Sequence, residues 1–204
     1  MNELADLLRA AGEPPADDPS AAVIADAALR QFELFGISRS TMEQIARRAK
    51  VSRVTLYRRF PSKDALVDAV ILRELQRFTA DLDRAVEPFD DLDDRLVEGF
   101  LFVLDAIRGH RLLQRVLESE PETILPRLTV DGAPFIGIAS GYLAARLVLD
   151  RDDDRTPDDL AIVADTVVRL LLSYLLTPQT LVDLDDPAAA RAFALRYLRP
   201  ILVG

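Results

Sequence analysis

Residues 39–63 hold the clearest chemistry the chain offers, the gripping of a polyanion. Eight basic residues fall in this stretch: Arg39, Arg47, Arg48, Lys50, Arg53, Arg58, Arg59 and Lys63. Only Glu43 opposes them, giving a local net of +7 in a chain whose formal charge is −9, so the remainder carries −16. Such asymmetry points to one segment facing phosphates and a remainder that does not. A solvated basic face would show the same charge, so position has to decide. Arg53 and Ser52 fall where a helix should begin, and there backbone N–H groups and the helix dipole favour phosphate. An arginine at that place can also fork onto a guanine edge.

Other chemistries are poorly supplied. With no Cys and a single His, His110, the chain has no disulfide, no thiolate nucleophile and no two-His zinc motif. Gly137-Ile138-Ala139-Ser140-Gly141 fits neither a nucleophile elbow nor a phosphate-binding glycine loop. Asp150-Arg151-Asp152-Asp153-Asp154 has calcium-like spacing, but Arg155 and Ala161 stand where such a loop needs Gly and Glu. No enzymatic activity, metal or cofactor is expected. The competing reading, a helical enzyme or ligand carrier without DNA binding, leaves the +7 module without a use. The longest uncharged stretch, residues 132–145, has 14 residues against the roughly 20 of a membrane span. The segment Met1 to Asp6 lacks both parts of a signal peptide. A cytoplasmic protein that avoids membranes is expected.

The elements that must position the basic residues read as helices throughout, so an all-α fold is expected. Residues 2–11 suit a short helix, and the acidic, proline-bearing stretch 12–19 suits a linker. Residues 1–18 carry a net −4, which phosphates would repel, so this is no minor-groove arm. Ser20 is placed to cap a first helix with Ile24, Ala28, Phe32 and Phe35 on one face, ended by Gly36. Ser40-Thr41-Met42-Glu43 reads as a capping box opening a second helix, whose apolar face is Met42, Ile45, Ala46 and Ala49. Lys50 and Val51 make a turn, Ser52 caps a third helix with Leu56 and Phe60 inward, and Pro61 stops it. Ser62 caps a fourth helix over 63–86 with Val67, Ile71, Phe78 and Leu82 inside. Helices follow over 92–107, 111–118, 135–149, 158–177 and 187–199. Pro121 and Pro126 bracket a loose turn, His110 is an exposed hinge after Gly109, and Asp158 is the cap after the acidic loop.

The stretch 40–60 is thus two short amphipathic helices joined tightly, a helix-turn-helix with a basic outer face. Residues 32–66 resemble the DNA-binding domain of the tetracycline-repressor (TetR) family. The resemblance lies in Phe32, Gly36, Ser40-Thr41, Ile45-Ala46, Ala49, Val51-Ser52, Thr55-Leu56-Tyr57, Phe60 and Pro61-Ser62-Lys63. It implies that Thr41 touches phosphate, that Ser52, Arg53, Val54 and Thr55 enter the major groove with Arg58 beside them, and that Tyr57 and Lys63 grip the backbone. It makes the protein a transcriptional regulator whose partner is double-stranded operator DNA. Lys50 stands where the family usually has Gly. A left-handed residue there costs roughly 1 kcal/mol unless it is Gly, so either the turn differs or Lys50 gains a phosphate.

The resemblance also divides the chain: an N-terminal extension (1–19), a DNA-binding domain (20–65) and a ligand-binding and dimerisation domain (66–204). Residues 158–177 are apolar on most sides, as a helix buried on two faces should be. A homodimer is implied, held by the last two helices through Val167, Leu171, Tyr174, Leu175, Phe193 and Tyr197. The middle helices would house an apolar effector, lined by Phe100, Phe102, Leu104, Leu113, Phe135, Ile138 and Tyr142. The function implied is that of a repressor released from its operator by that effector.

Overall fold

The computed structural model describes residues 19–149 and 155–203, and every regular element among them is helical. The expected helix at 2–11, the acidic linker up to residue 18 and the aspartate run at 150–154 lie outside the described residues. In chain order the helices are α1 (Pro19–Phe35), α2 (Met42–Ala49), α3 (Arg53–Arg59), α4 (Lys63–Val86), α5 (Leu92–Gly109) and α6 (Arg111–Ser119). They continue with α7 (Pro121–Leu128), α8 (Ala133–Leu149), α9 (Pro157–Leu176), α10 (Pro187–Phe193), a π-helical turn (Ala194–Leu198) and α11 (Arg199–Val203).

Two compact units are present. One takes residues 19–77 together with His110–Gly132, and the other takes Phe78–Gly109 with residues 133–149 and 155–203. In the first, Ile24, Ala28 and Phe32 of α1, Ile45 of α2, Leu56 of α3, Leu66 and Val67 of α4 and Val116 of α6 are all fully buried. Gly36 ends α1 with φ +83°, its N–H on the Phe32 carbonyl at 2.8 Å, the left-handed stop that glycine supplies cheaply. Helix α1 opens at Pro19, so Ser20 lies inside it rather than capping it; helix ends shift by a residue or two in this way.

Three further expectations about caps are corrected. The box that opens α2 is Thr41 with Gln44, not Ser40 with Glu43: Gln44 N–H donates to Thr41 Oγ1 at 3.2 Å, and Thr41 N–H donates to Gln44 Oε1 at 2.9 Å. Ser40 is buried and its hydroxyl donates to the Gly36 carbonyl at 2.6 Å, so its side chain is engaged with the end of α1 rather than with the start of α2. Helix α9 is capped by Thr156, whose partner in the box is Asp159, with Pro157 at the first helical position; Asp158 is inside the first turn. The Thr156 hydroxyl and N–H both donate to the Asp159 carboxylate and hold its pKa below the ordinary value. His110 is no exposed hinge: it caps α6, its Nδ1 accepting from Leu113 N–H at 3.1 Å while Nε2 faces Glu74 Oε2 at 3.3 Å.

The loose turn expected around Pro121 and Pro126 is helix α7. Pro121 sits at the first helical position, where its missing N–H costs nothing, and Pro126 removes one internal donor from an eight-residue helix.

The second unit has two buried clusters. Val97, Phe100 and Leu104 of α5 pack with Leu184, Ala190, Ala194 and Leu198. Leu147 of α8 packs with Leu160, Ala164 and Val167 of α9 and with Leu202. The C-terminal helix buries Ala190, Ala194, Leu198 and Leu202. A strict four-residue repeat drifts about 40° per turn on a 3.6-residue helix. The wider π turn at Ala194–Leu198 absorbs the drift, a break that spacing alone did not announce.

Candidate nucleic-acid interface

Helices α2 and α3 form the expected helix-turn-helix. After Ala49 the Lys50 N–H meets the Arg47 carbonyl at 3.2 Å and the Val51 N–H meets the Ala46 carbonyl at 3.0 Å. This pair of bonds is a Schellman close, with Lys50 in its left-handed place at φ 57°, ψ 36°. The turn therefore keeps its usual geometry, and Lys50 carries the strain that Gly would avoid. Ser52 caps α3: its Oγ accepts from Thr55 N–H at 3.0 Å and lies 2.9 Å from Thr55 Oγ1.

Leu56 alone anchors α3 by full burial, while Val51, Thr55 and Phe60 are half-buried. Ser52, Arg53, Val54, Tyr57, Arg58 and Arg59 all face out. Tyr57 is thus not a core aromatic. Val54 is 75% exposed. Arg53, 70% exposed, has Nη1 3.7 Å from Oε1 of Glu43 on α2, so the one acid of the basic stretch leans on the expected base-reader. Glu43, Ala46, Arg47, Val51 and Arg53 line a shallow groove between the two helices.

The other cations divide into tethered and open. Lys63 Nζ donates to the Ser38 carbonyl at 3.1 Å, Arg39 Nε to the Phe35 carbonyl at 3.1 Å, and Arg48 Nε to Gln31 Oε1 at 2.9 Å. The side chains of Arg47, Lys50 and Arg58 are exposed and make no ion pair among the described residues. Thr41 is exposed at the start of α2, with its hydroxyl already engaged as a cap. Arg47 was not among the expected contacts, although the run of basic residues had marked it.

The residues expected to line an effector pocket fall in both units. Leu113 belongs to the first, the other six to the second. Phe100 and Leu104 are buried core, and Phe102 packs its ring 5.7 Å from that of Phe78. Phe135 and Ile138 are half-buried on α8. The Tyr142 hydroxyl donates to Asp83 Oδ1 and lies 3.3 Å from the Thr79 carbonyl. Burial first, and then the Asp83 carboxylate, push that phenol above its ordinary range.

Of the residues expected at a subunit interface, Val167 is buried within its own subunit, and Leu171, Tyr174 and Phe193 pack against the α5 cluster. Phe193 stacks on Phe100 at 5.7 Å and meets Tyr174 edge-on at 5.7 Å. Leu175 is half-buried and Tyr197 exposed. The outward line of α9 is Ile162, Thr166, Arg169 and Ser173.

Comparison with known proteins decides the family. Residues 24–70 match the bacterial regulatory proteins of the tetR family, and residues 91–195 match the tetracyclin repressor C-terminal domain. The chain belongs to the TetR family. DNA-binding transcriptional regulation is the coarse function of that family. Among TetR-type relatives, an uncharacterised HTH-type transcriptional regulator of Mycobacterium tuberculosis strain H37Rv is 36% identical over 86 residues, 42% of this chain and 43% of that protein. The match thus spans under half the length of that relative. The HTH-type transcriptional regulator AlkX of the same strain is 29% identical over 143 residues, 68% of this chain and 66% of its own. The fold matches the crystal structure of the TetR family repressor AlkX from Dietzia sp. strain DQ12-45-1b, implicated in biodegradation of n-alkanes. The TM-score is 0.70 at 20% identity, over 91% of this chain and 98% of that one.

Proposed function

We propose that this TetR-family protein is a homodimeric, cytoplasmic repressor that leaves its operator when a small apolar ligand binds. The observation that carries the DNA-binding part is α3 itself: a capped helix, fixed inward by Leu56, that presents Arg53, Val54, Tyr57 and Arg58 outward within a +7 stretch. Thr41, Ser52 and Thr55 stand beside them, and Lys63 supplies a further cation. In this reading the dimer binds a near-palindrome whose half-sites lie about 34–36 Å apart or a multiple of it. Phe100, Phe102, Leu104, Phe135, Ile138 and Tyr142, all of the second unit, then line the effector site, and the C-terminal helices hold the partner subunit.

Selection of bound genomic fragments followed by footprinting tests the reading. Two symmetric protected half-sites are expected, with log K falling steeply against log salt. A single asymmetric half-site occupied by a monomer would falsify the dimeric operator complex. Calorimetry tests release: a ligand that drives it must bind more weakly to the operator complex, by the same factor that it weakens operator binding.

A further inference from the structure

We infer that Val54 reads the C5-methyl group of a pyrimidine, thymine in ordinary DNA, at one position in each half-site; this rests on the DNA-binding reading above. Successive side chains on an α-helix stand about 100° apart. Leu56 marks the inward direction of α3, fully buried. Val54 then stands about 160° from it, and Arg58 about the same angle on the other side, so these two form the outermost line of the helix. Arg53 stands about 60° from Leu56, turned toward α2, where Glu43 meets it. The hydroxyls of Ser52 and Thr55 pair with each other, and Ser52 Oγ also accepts the cap bond, which leaves one O–H of the pair to donate.

The side chain presented most squarely to a groove is therefore a valine, 75% exposed, whose burial within its own chain does not account for its apolar character. Val favours helix less than Ala or Arg does, so local stability does not account for it either. Its methyls offer no hydrogen bond. In the major groove the one base feature that such a group can recognise is the thymine methyl, which is absent from cytosine, adenine and guanine. Arg58, one turn along the same line, faces the same groove wall with a charge for phosphate. Arg53, held at the flank, is left to grip or to reach a neighbouring base edge.

The test uses the full-length protein and a duplex recovered by selection from random sequence. Each dT is replaced in turn by dU, which removes only the methyl. One position per half-site should weaken wild-type binding about fourfold, the equivalent of ~0.8 kcal/mol for one methyl-sized group taken out of water. Val54→Ala, which lacks both Cγ methyls, should discriminate dT from dU less than the wild type does, with an unchanged circular dichroism spectrum. If no dU replacement weakens the wild type, or if Val54→Ala stays as sensitive as the wild type, the inference is overturned. If selection yields no preferred duplex at all, the DNA-binding reading itself fails and takes the inference with it.

Discussion

Ser38 and Glu120 lie 82 residues apart in the chain, yet the N–H and the hydroxyl of Ser38 both donate to Oε2 of Glu120, at 2.8 and 3.0 Å. Glu120 is only 5% exposed and sits between α6 and α7 without capping either with its side chain. Its other oxygen lies over Gly36, where an added Cβ would fall 1.8 Å from it. The loop that delivers α2 is thus pinned from within its own unit, with Lys63 holding the Ser38 carbonyl.

Glu120→Ala should therefore destabilise the protein by about 1.5–3 kcal/mol, since it removes the hydrogen bonds that Ser38 donates to a carboxylate. Glu120→Gln keeps an acceptor and should lose less. Urea midpoints at fixed pH check both; equal, negligible losses would mean the pin is idle.

The pairing of Glu43 with Arg53 predicts a gain of affinity. Glu43→Gln removes the acid of the basic stretch and frees a guanidinium. Binding to any duplex should strengthen at low salt, and the slope of log K against log salt should steepen by about 0.9 per new phosphate contact, so nearly two for a dimer. Binding isotherms on operator and scrambled duplexes across a salt series show it. An unchanged slope would mean that Arg53 is not limited by Glu43.

These features differ in how far they could be read from residues alone. The helix-turn-helix was legible because α2 and α3 are short, amphipathic and bounded by residues with one evident use each: Ser52, Pro61 and Ser62. The left-handed Lys50 was legible as a departure from Gly. Caps were harder, because Ser40 and Thr41 are adjacent hydroxyls with the same local chemistry, and only burial of Ser40 assigns the role to Thr41. Helix α7 was missed because two prolines argue against helix, although one of them sits where proline is welcome. The pin from Glu120 to Ser38 leaves no local pattern, so no window of sequence shows it. The same holds for Phe193: its apolar character was plain, but whether it faces Phe100 or a second subunit is a tertiary fact.

Lys50→Gly separates strain from charge. Glycine relieves the left-handed conformation at φ 57°, so stability should rise by about 1 kcal/mol. If the exposed ammonium also meets phosphate, the salt slope should fall by about 0.9 per subunit. Thermal melting and salt-dependent binding on one variant give both numbers, and a stability loss would contradict the strain assignment.

Glu74 sets a pH dependence. Burial pushes its pKa up, but hydrogen bonds from His110 and Arg77, with their charges, outweigh burial and hold it below the ordinary 4.5. A carboxyl with a depressed folded pKa contributes stability above the unfolded value and loses it as pH falls through the folded one. Wild type should therefore exceed Glu74→Gln in urea midpoint above about pH 4.5, and the gap should shrink on acidification below it. A gap that stays constant from pH 7 to pH 3 would remove Glu74 from the account.

The proposed subunit interface is best probed at Ile162. Leu171 and Phe193 pack inside their own subunit, so a charge at either would test folding before association. Ile162 is 66% exposed on the outward line of α9, with Thr166, Arg169 and Ser173. A glutamate there costs an isolated subunit little, since surface changes usually stay within about 0.5 kcal/mol. Within a packed interface the same carboxylate would be stripped of water with no partner, and removing it from solvent costs several kcal/mol. Ile162→Glu should thus leave the helical spectrum and melting of the subunit intact while the protein dissociates at low concentration, and operator affinity should fall with it because half-sites are then bound singly. Sedimentation equilibrium, run beside circular dichroism, measures this. A folded variant that remains dimeric at nanomolar concentration would place the partner on another face, and Tyr197, the exposed aromatic of the π turn, would be the next position to charge.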